Sequence, residues 1–171
     1  MDDPRRTLGR RLLHDSPVTV FFRTAVLDQA TADLRTAGYH LAQADASGWR
    51  AVANMHRDLS RVLDFPDYYG ANLDALNDCL RDVAAREYGL PAEATGLVLV
   101  LTGFDGFARA FPGQAHGLLD VFAVRSRTAL LGGEQLICLL QSDDPDFTLP
   151  PVGATPLRWN DAEWLNANRR R

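Results

Sequence analysis

Four short apolar segments of the chain have the composition of β-strands. β-branched and aromatic residues dominate the first, and the last two contain the continuous apolar runs LVLVL and LICLL. Such runs are typical of strands that are buried on both faces of a sheet. The predicted strands are residues 18–22, 39–44, 96–101 and 135–140.

Between these strands, apolar residues recur at intervals of three and four, which predicts helices. The first helix ends before Gly38, a residue typical of helix ends, and the last two are separated by Pro112 and Gly113. The predicted helices are residues 28–36, a second that begins at 47 or 48 and ends at 62, and then 72–85, 104–111 and 115–127. Strands that alternate with helices favour an α/β fold, in which helices cover a parallel sheet.

The two ends of the chain have a different character. Residues 1–17 are polar and rich in Arg and Asp, which predicts a flexible N-terminal arm. Residues 142–171 hold four prolines together with Trp159 and Trp164. We interpret them as an extended tail that wraps the body and ends in an exposed arginine run at 169–171. A chain of 171 residues can bury one good core but hardly two.

The charge balance limits the classes of partner. All 18 basic residues are Arg, and 22 acidic residues bring the formal net charge to -4. This acidity argues against a nucleic-acid-binding protein, which needs a basic surface, and fits a protein that meets a basic partner.

The cysteines and the longest apolar runs indicate the cellular compartment of the protein. Cys79 and Cys138 lie in apolar runs, so we expect buried, reduced thiols rather than a disulfide scaffold. The sequence contains neither a signal-peptide pattern nor a run long enough to span a membrane. We therefore expect a cytoplasmic protein without a membrane or nucleic-acid partner, and a monomer when it is free.

The helix predicted at 72–85 carries a row of carboxylates. Asp74, Asp78 and Asp82 are spaced four apart, so they lie above one another on one face. Like charges at this spacing destabilise a helix by about 0.2–0.5 kcal/mol per pair. Two interpretations are open, since such a row is either a solvated face or a surface kept for a partner.

The loop before this helix contains two adjacent aromatic residues, Tyr68 and Tyr69, followed by Gly70. Asn72 is a good N-cap for the helix, and a turn followed by a helix start places at least one of the tyrosines near the carboxylates. Tyrosine beside charge that is removed from water is typical of binding hot spots. We expect one of the two tyrosines to lie in the core and the other to lie at the surface.

The run PDYYGANLDALNDCL resembles the signature of barstar-type ribonuclease inhibitors, Tyr-Tyr-Gly-x-Asn-Leu-Asp-Ala-Leu-x-Asp-Cys-Leu. The flanking strands and helices agree more loosely, so the resemblance covers residues 39–141. It implies an α/β domain with a small three-stranded parallel sheet flanked by helices. Residues 18–38 would then be an extra N-terminal strand–helix unit, and residues 142–171 an additional tail.

The resemblance implies an inhibitor whose loop and helix enter the active site of a basic ribonuclease. Asp78 would occupy the position of the substrate phosphate, and Asp74 would support it. The protein would be an intracellular inhibitor, an immunity protein or antitoxin, without catalytic residues, cofactor or metal. The partner-binding residues that we predict are Tyr68, Gly70, Asn72, Leu73, Asp74, Asn77, Asp78 and Asp82.

Three departures from the pattern of the family's type member occur, at Asn77, at Val124, and at Arg81 and Asp82, which replace small or neutral residues. Asn77 replaces a large aromatic residue, and Val124 replaces an acidic residue that contacts the enzyme. Arg81 introduces a positive charge that would face a basic enzyme with the wrong sign, unless Asp82 offsets it. The central pair of carboxylates is kept while its surroundings differ, which indicates the same function against a different nuclease.

Two other functions remain open from the sequence. Asp74 and Asp78 could form the acid–base pair of an enzyme, although no nucleophile elbow, P-loop or HExxH motif accompanies them. The chain could also be a barstar-like interaction module whose partner is not a ribonuclease. Association that slows steeply with salt would favour the inhibitor, whereas turnover would favour the enzyme.

Overall fold

A five-stranded parallel sheet forms the centre of the computed structural model, which describes residues 3–170. The strand order is β2-β3-β4-β1-β5, and every neighbouring pair is parallel. The strands are β1 (Val18–Phe21), β2 (His40–Asp45), β3 (Leu97–Thr102), β4 (Leu136–Gln141) and β5 (Arg158–Trp159).

Helices cover both faces of this sheet. They are α1 (Pro4–Asp15), α2 (Thr24–Thr36), α3 (Val52–Val62), α4 (Leu73–Ala84), α5 (Phe104–Ala110), α6 (Pro112–Leu131) and α7 (Asn166–Arg169). Single turns of 3-10 helix lie at Ala46–Gly48 and Asp161–Glu163. None of the helices within residues 3–170 combines the length and apolar character that a membrane span requires.

The buried residues of β3 alternate between two hydrophobic cores. Leu97, Leu99 and Leu101 face the larger core, which includes residues of α3, α4, α5 and α6. Val98 and Val100 face the smaller core, against which α1 and α2 pack. The predicted α/β fold is confirmed, and the strand is buried on both faces because each face of the sheet is covered.

The sheet is wider than the three strands that the resemblance implies. β2, β3 and β4 lie within residues 39–141, and β1 adds a fourth strand along β4, with Val18 opposite Cys138. β5, from the tail, pairs with β1 in turn. Because all four residues of β1 are buried, the N-terminal strand is an integral part of the sheet.

The prediction of a flexible arm at residues 1–17 was wrong for the described part of that segment. Residues 4–15 form α1, whose N-cap Asp3 accepts a hydrogen bond from the backbone of Arg5 at 3.0 Å. Leu8 and Leu12, one turn apart, pack against the smaller core. The many charged residues made the apolar stripe of Leu8 and Leu12 hard to recognise in the sequence. The signal for a helix was nevertheless present, since Asp3-Pro4 before two leucines four residues apart is typical of a helix start. Residues 1 and 2 lie outside the described residues.

Hydrogen bonds from a buried arginine hold the end of the tail. The Arg169 side chain was predicted to be exposed, but it is buried and its guanidinium lies 4.2 Å from the centre of the Trp159 ring. It donates to the carbonyl oxygens of Pro145, Glu163 and Trp164 at 2.7–2.9 Å. The prediction was wrong for Arg169, because its side chain contacts tail residues that spacing does not reveal, whereas Arg170 is exposed as predicted. Residue 171 lies outside the described residues.

Candidate functional site

The loop and the start of α4 are joined by the side chain of Asn72. Its Oδ1 accepts the backbone N–H of Ala75 at 2.8 Å, which confirms the predicted N-cap. Its Nδ2 donates to the carbonyl oxygen of Gly70 at 3.4 Å. Ala71, between them, has a φ of 50°, in the left-handed region. The loop therefore has a fixed geometry relative to α4.

The two tyrosines of the loop have separate environments. Tyr69 is partly buried, its ring centre lies 4.8 Å from that of Phe65, and its hydroxyl lies 2.5 Å from Nδ1 of the buried His56. Burial raises the pKa of Tyr69 and lowers that of His56, so both groups are uncharged at neutral pH. Tyr68 is 80% exposed, which confirms the expected division between core and surface.

The apolar face of α4 packs against α6. Leu76, Cys79, Leu80 and Val83 are buried. Leu73 is partly buried, and a Cβ atom added to Gly117 of α6 would lie only 2.5 Å from its Cδ1. The structure therefore places Leu73, one of the predicted partner-binding residues, in the contact between the two helices. Cys79 and Cys138 are both buried free thiols, as predicted.

Asp74 and Asp78 project from the other side of α4 into solvent. Asp74 lies in the first helical turn, where the helix dipole stabilises a negative charge, and it has no hydrogen-bond or ion-pair partner within residues 3–170. The Asp78 side chain is 62% exposed, and its Oδ1 lies 3.3 Å from Nη1 of Arg81. An exposed pair of this kind contributes only about 0–1 kcal/mol, so Asp78 can exchange it for another cation.

Asp82 differs from the other two carboxylates because its own chain already satisfies it. Its side chain is only 24% exposed. Its Oδ1 accepts from Nε of Arg81 at 3.1 Å, and its Oδ2 accepts from the hydroxyl of Tyr88 at 3.2 Å. The row predicted from spacing thus presents two accessible carboxylates, Asp74 and Asp78, while Asp82 anchors Arg81.

The structure joins Asn77 to a residue that the sequence did not single out. The Oδ1 of Asn77 accepts from Nε of Arg125 on α6 at 2.8 Å. Arg125 lies seven residues after Leu118 and three after Phe122, which are both buried, so it falls on the apolar face of α6. A charged residue at such a position was the signal in the sequence that could have identified it. The adjacent Val124 is 45% exposed.

The surface formed by Tyr68, Asp74 and Asp78 is called the acidic surface below. It consists of an exposed helix face and the loop that precedes it, and it offers two carboxylates and one aromatic ring. Within the described part of the chain, no three side chains of His, Cys, Asp or Glu converge as metal ligands. This arrangement can bind cations on another macromolecule.

Comparisons with known proteins identify the family of this chain. A sequence model of the family described as Barstar (barnase inhibitor) matches residues 39–141, which include β2, β3, β4 and the acidic surface. A Bacillus subtilis (strain 168) protein named "Putative ribonuclease inhibitor YrdF" is 42% identical over 78 residues. The match covers 45% of this chain and 75% of that protein.

Proposed function

Because the chain belongs to the barstar family, we propose that it is a protein inhibitor of a basic ribonuclease and that it blocks the active site with the acidic surface. The observation that carries this proposal is the pair of exposed carboxylates on a capped helix, Asp74 and Asp78, together with the exposed ring of Tyr68 in the loop that precedes the helix. The carboxylates of Asp74 and Asp78 are one helical turn apart, and no cation pairs with Asp74 within residues 3–170.

The chemistry of the target explains why carboxylates suit this task. A ribonuclease holds the phosphate of its substrate with preorganised cations. A carboxylate placed among those cations forms charge-assisted hydrogen bonds in the same way, and it contains no bond that the enzyme can cleave. Asp78 is the phosphate mimic in this proposal, since it lies near the middle of α4 and gives up only an exposed ion pair.

Asp74 and the loop complete the surface. The carboxylate of Asp74, one turn before Asp78, increases the negative potential that attracts a basic enzyme. Tyr68 supplies a large exposed ring, and the hydrogen bonds of Asn72 fix the path of the loop through Gly70. A surface that is ordered before binding loses little entropy when the complex forms.

The proposed partner also explains why a cell would contain such a protein. An inhibitor inside the cell protects RNA from a ribonuclease that is made for export or that is delivered by a competitor. Both cases require the same surface, because both require the active site to be closed.

Inhibition of RNA cleavage tests the proposal directly. The wild-type protein and Asp78→Ala are compared against a panel of small basic microbial ribonucleases, barnase included. We expect the substitution to weaken inhibition by at least about 30-fold, or about 2 kcal/mol, as for a central hot-spot residue. Asp28→Ala is the matched control, because Asp28 is exposed on α2, on the opposite face of the sheet.

The outcomes separate the mechanism from the partner class. Equal inhibition by Asp78→Ala and the wild type would contradict the carboxylate mechanism. If no ribonuclease of the panel is inhibited by the wild type, the assignment to basic ribonucleases is wrong. Capture of the partner from solution, with Asp78→Ala as the negative control, would then follow.

A further inference from the structure

A groove of the opposite charge lies beside the acidic surface. It runs between the C-terminal halves of α4 and α6, has a volume of about 380 Å³, and is called the basic groove below. Its charged lining residues are Arg81, Arg86, Arg125 and Glu134, and its other lining residues are small. Arg81 belongs to the same helix as Asp78, three residues later, which corresponds to a rise of about 4.5 Å.

Arg86 compensates the acidic residue of the basic groove. Its Nε and Nη2 donate to the two carboxylate oxygens of Glu134 at 2.9 and 2.8 Å. Arg86 also donates to the carbonyl oxygens of Pro91 and Ala94. This bidentate pair is structural, since it ties the chain that follows α4 to the start of β4. It leaves no acidic group in the groove for the other arginines.

Arg125 is the incompletely compensated cation of the basic groove. It is partly buried, and its Nε is fixed by the amide oxygen of Asn77. It has no carboxylate partner within residues 3–170. A guanidinium that has lost part of its hydration without gaining a counter-charge is costly, and a carboxylate supplied from outside would remove that cost.

Arg81 also loses a carboxylate partner when a ribonuclease occupies the acidic surface. In the free protein its guanidinium contacts Asp78 and Asp82. When Asp78 turns to the cations of a ribonuclease, Arg81 keeps Asp82 but loses one of its two carboxylates. An exposed arginine with several remaining donors then faces the partner at the edge of the interface.

We propose that the basic groove binds a carboxylate of the same ribonuclease, so that the partner carries an acidic residue next to its cationic active site. This inference rests on the proposed function. Arg125 is the principal ligand, held in position by Asn77, and Arg81 is the second. The two surfaces are continuous along α4, and their opposite charges fix both the orientation and the choice of the partner.

Direct binding in the absence of RNA tests this assignment. The dissociation constant and off-rate are measured with a ribonuclease that the wild-type protein inhibits. We expect Arg125→Ala to weaken binding at least tenfold through faster dissociation, and Asn77→Ala to weaken it less because the charge remains. Arg127→Ala is the matched control, since Arg127 is exposed on the same helix and bonds to Thr155 of the tail.

Arg125→Lys provides a second variant if Arg125→Ala unfolds at a lower temperature. It keeps the charge but loses the fork that binds a carboxylate through two hydrogen bonds, so we expect weaker binding than the wild type. Wild-type affinity in both Arg125 variants would overturn the inference. An Arg125 effect that appears only when RNA is present would also overturn it, because the groove would then bind RNA phosphate.

The same measurement includes Asp78→Ala as a separate arm. If Asp78→Ala weakens binding and Arg125→Ala does not, the proposed function holds and the basic groove has no role in it. If the wild type binds no ribonuclease, the proposed function fails and this inference fails with it. Weaker binding by both variants, with Arg127→Ala unchanged, supports both.

Discussion

Replacement of Glu163 by Gln should release the tail without changing the acidic surface. Glu163 is fully buried, and each of its carboxylate oxygens accepts two hydrogen bonds. Oε2 accepts from the backbone of Phe22 and from Nδ2 of Asn160, both at 2.7 Å. Oε1 accepts from the backbone N–H and from Nε of Arg23, at 2.9 and 3.1 Å. The carboxylate thereby joins the 3-10 turn of the tail to the end of β1.

The magnitude follows from these four bonds. In either orientation of the new side chain, the amide nitrogen that Glu163→Gln introduces faces two donors, so two bonds to a charged group are lost. Such bonds contribute about 1.5–3 kcal/mol each, and local relaxation recovers part of the loss. We expect the free energy of unfolding to fall by about 3 kcal/mol. For 171 residues this corresponds to a melting temperature lower by roughly 8 °C.

The pH dependence gives a second, independent signature. Burial alone would raise the pKa of Glu163, but the hydrogen bonds from Phe22, Arg23 and Asn160 outweigh it, so the pKa lies below its ordinary value near 4.5. A lowered pKa stabilises the fold above the unfolded-state value, and the effect disappears as the pH falls through the folded-state value. The difference between wild type and Glu163→Gln should therefore be largest at neutral pH and shrink below about pH 4.5.

Urea unfolding at several pH values measures both effects. Asp161→Asn is the matched control, because Asp161 is exposed in the same turn and should change stability by less than about 0.5 kcal/mol. A loss below about 1 kcal/mol for Glu163→Gln, or a loss that does not change with pH, would refute the reasoning. Inhibition should be unchanged at temperatures where both proteins are folded.

Four further predictions concern the acidic surface and the loop that precedes α4. Tyr68→Ala should weaken inhibition about tenfold or more without changing the melting temperature, since the ring is exposed. Tyr69→Phe should instead lower the free energy of unfolding by about 1 kcal/mol, because the hydrogen bond to His56 is lost. Asn72→Ala should lower stability by about 1 kcal/mol in urea unfolding and also weaken inhibition, because the cap holds the loop; unchanged inhibition would contradict that role. The association rate, measured by stopped flow, should fall about tenfold or more between roughly 0.01 and 0.15 M salt, and a rate independent of salt would exclude electrostatic attraction.

Local features of the site were predictable because they depend on near neighbours in the chain. The N-cap Asn72 and the buried face of α4 follow from spacing within two or three helical turns. The division between Tyr68 and Tyr69 is likewise local, since the two rings belong to the same short loop. The strands β3 and β4 were predictable because full burial leaves a continuous apolar run.

Contacts between distant segments were not predictable in this way. The bonds of Glu163 to Phe22 and Arg23 span about 140 positions in the sequence, and nothing near Glu163 indicates them. The bond from Arg125 to Asn77 depends on how α6 packs against α4. For Asp82, the spacing predicted the correct helix face. The hydrogen bonds that its carboxylate accepts from Arg81 and Tyr88 depend on side-chain positions that spacing does not reveal.

If the proposed function holds, the distribution of charge along α4 would let this protein distinguish one ribonuclease from another. A purely acidic helix would attract any basic enzyme, since attraction at long range depends on net potential. In this chain, Arg81 follows within one turn of Asp78 and Arg125 lies nearby on α6, so a uniformly cationic active-site rim would meet repulsion at the basic groove. An enzyme with a carboxylate at that position would gain attraction on both surfaces. Selectivity then comes from rejecting the wrong ribonuclease as much as from binding the right one.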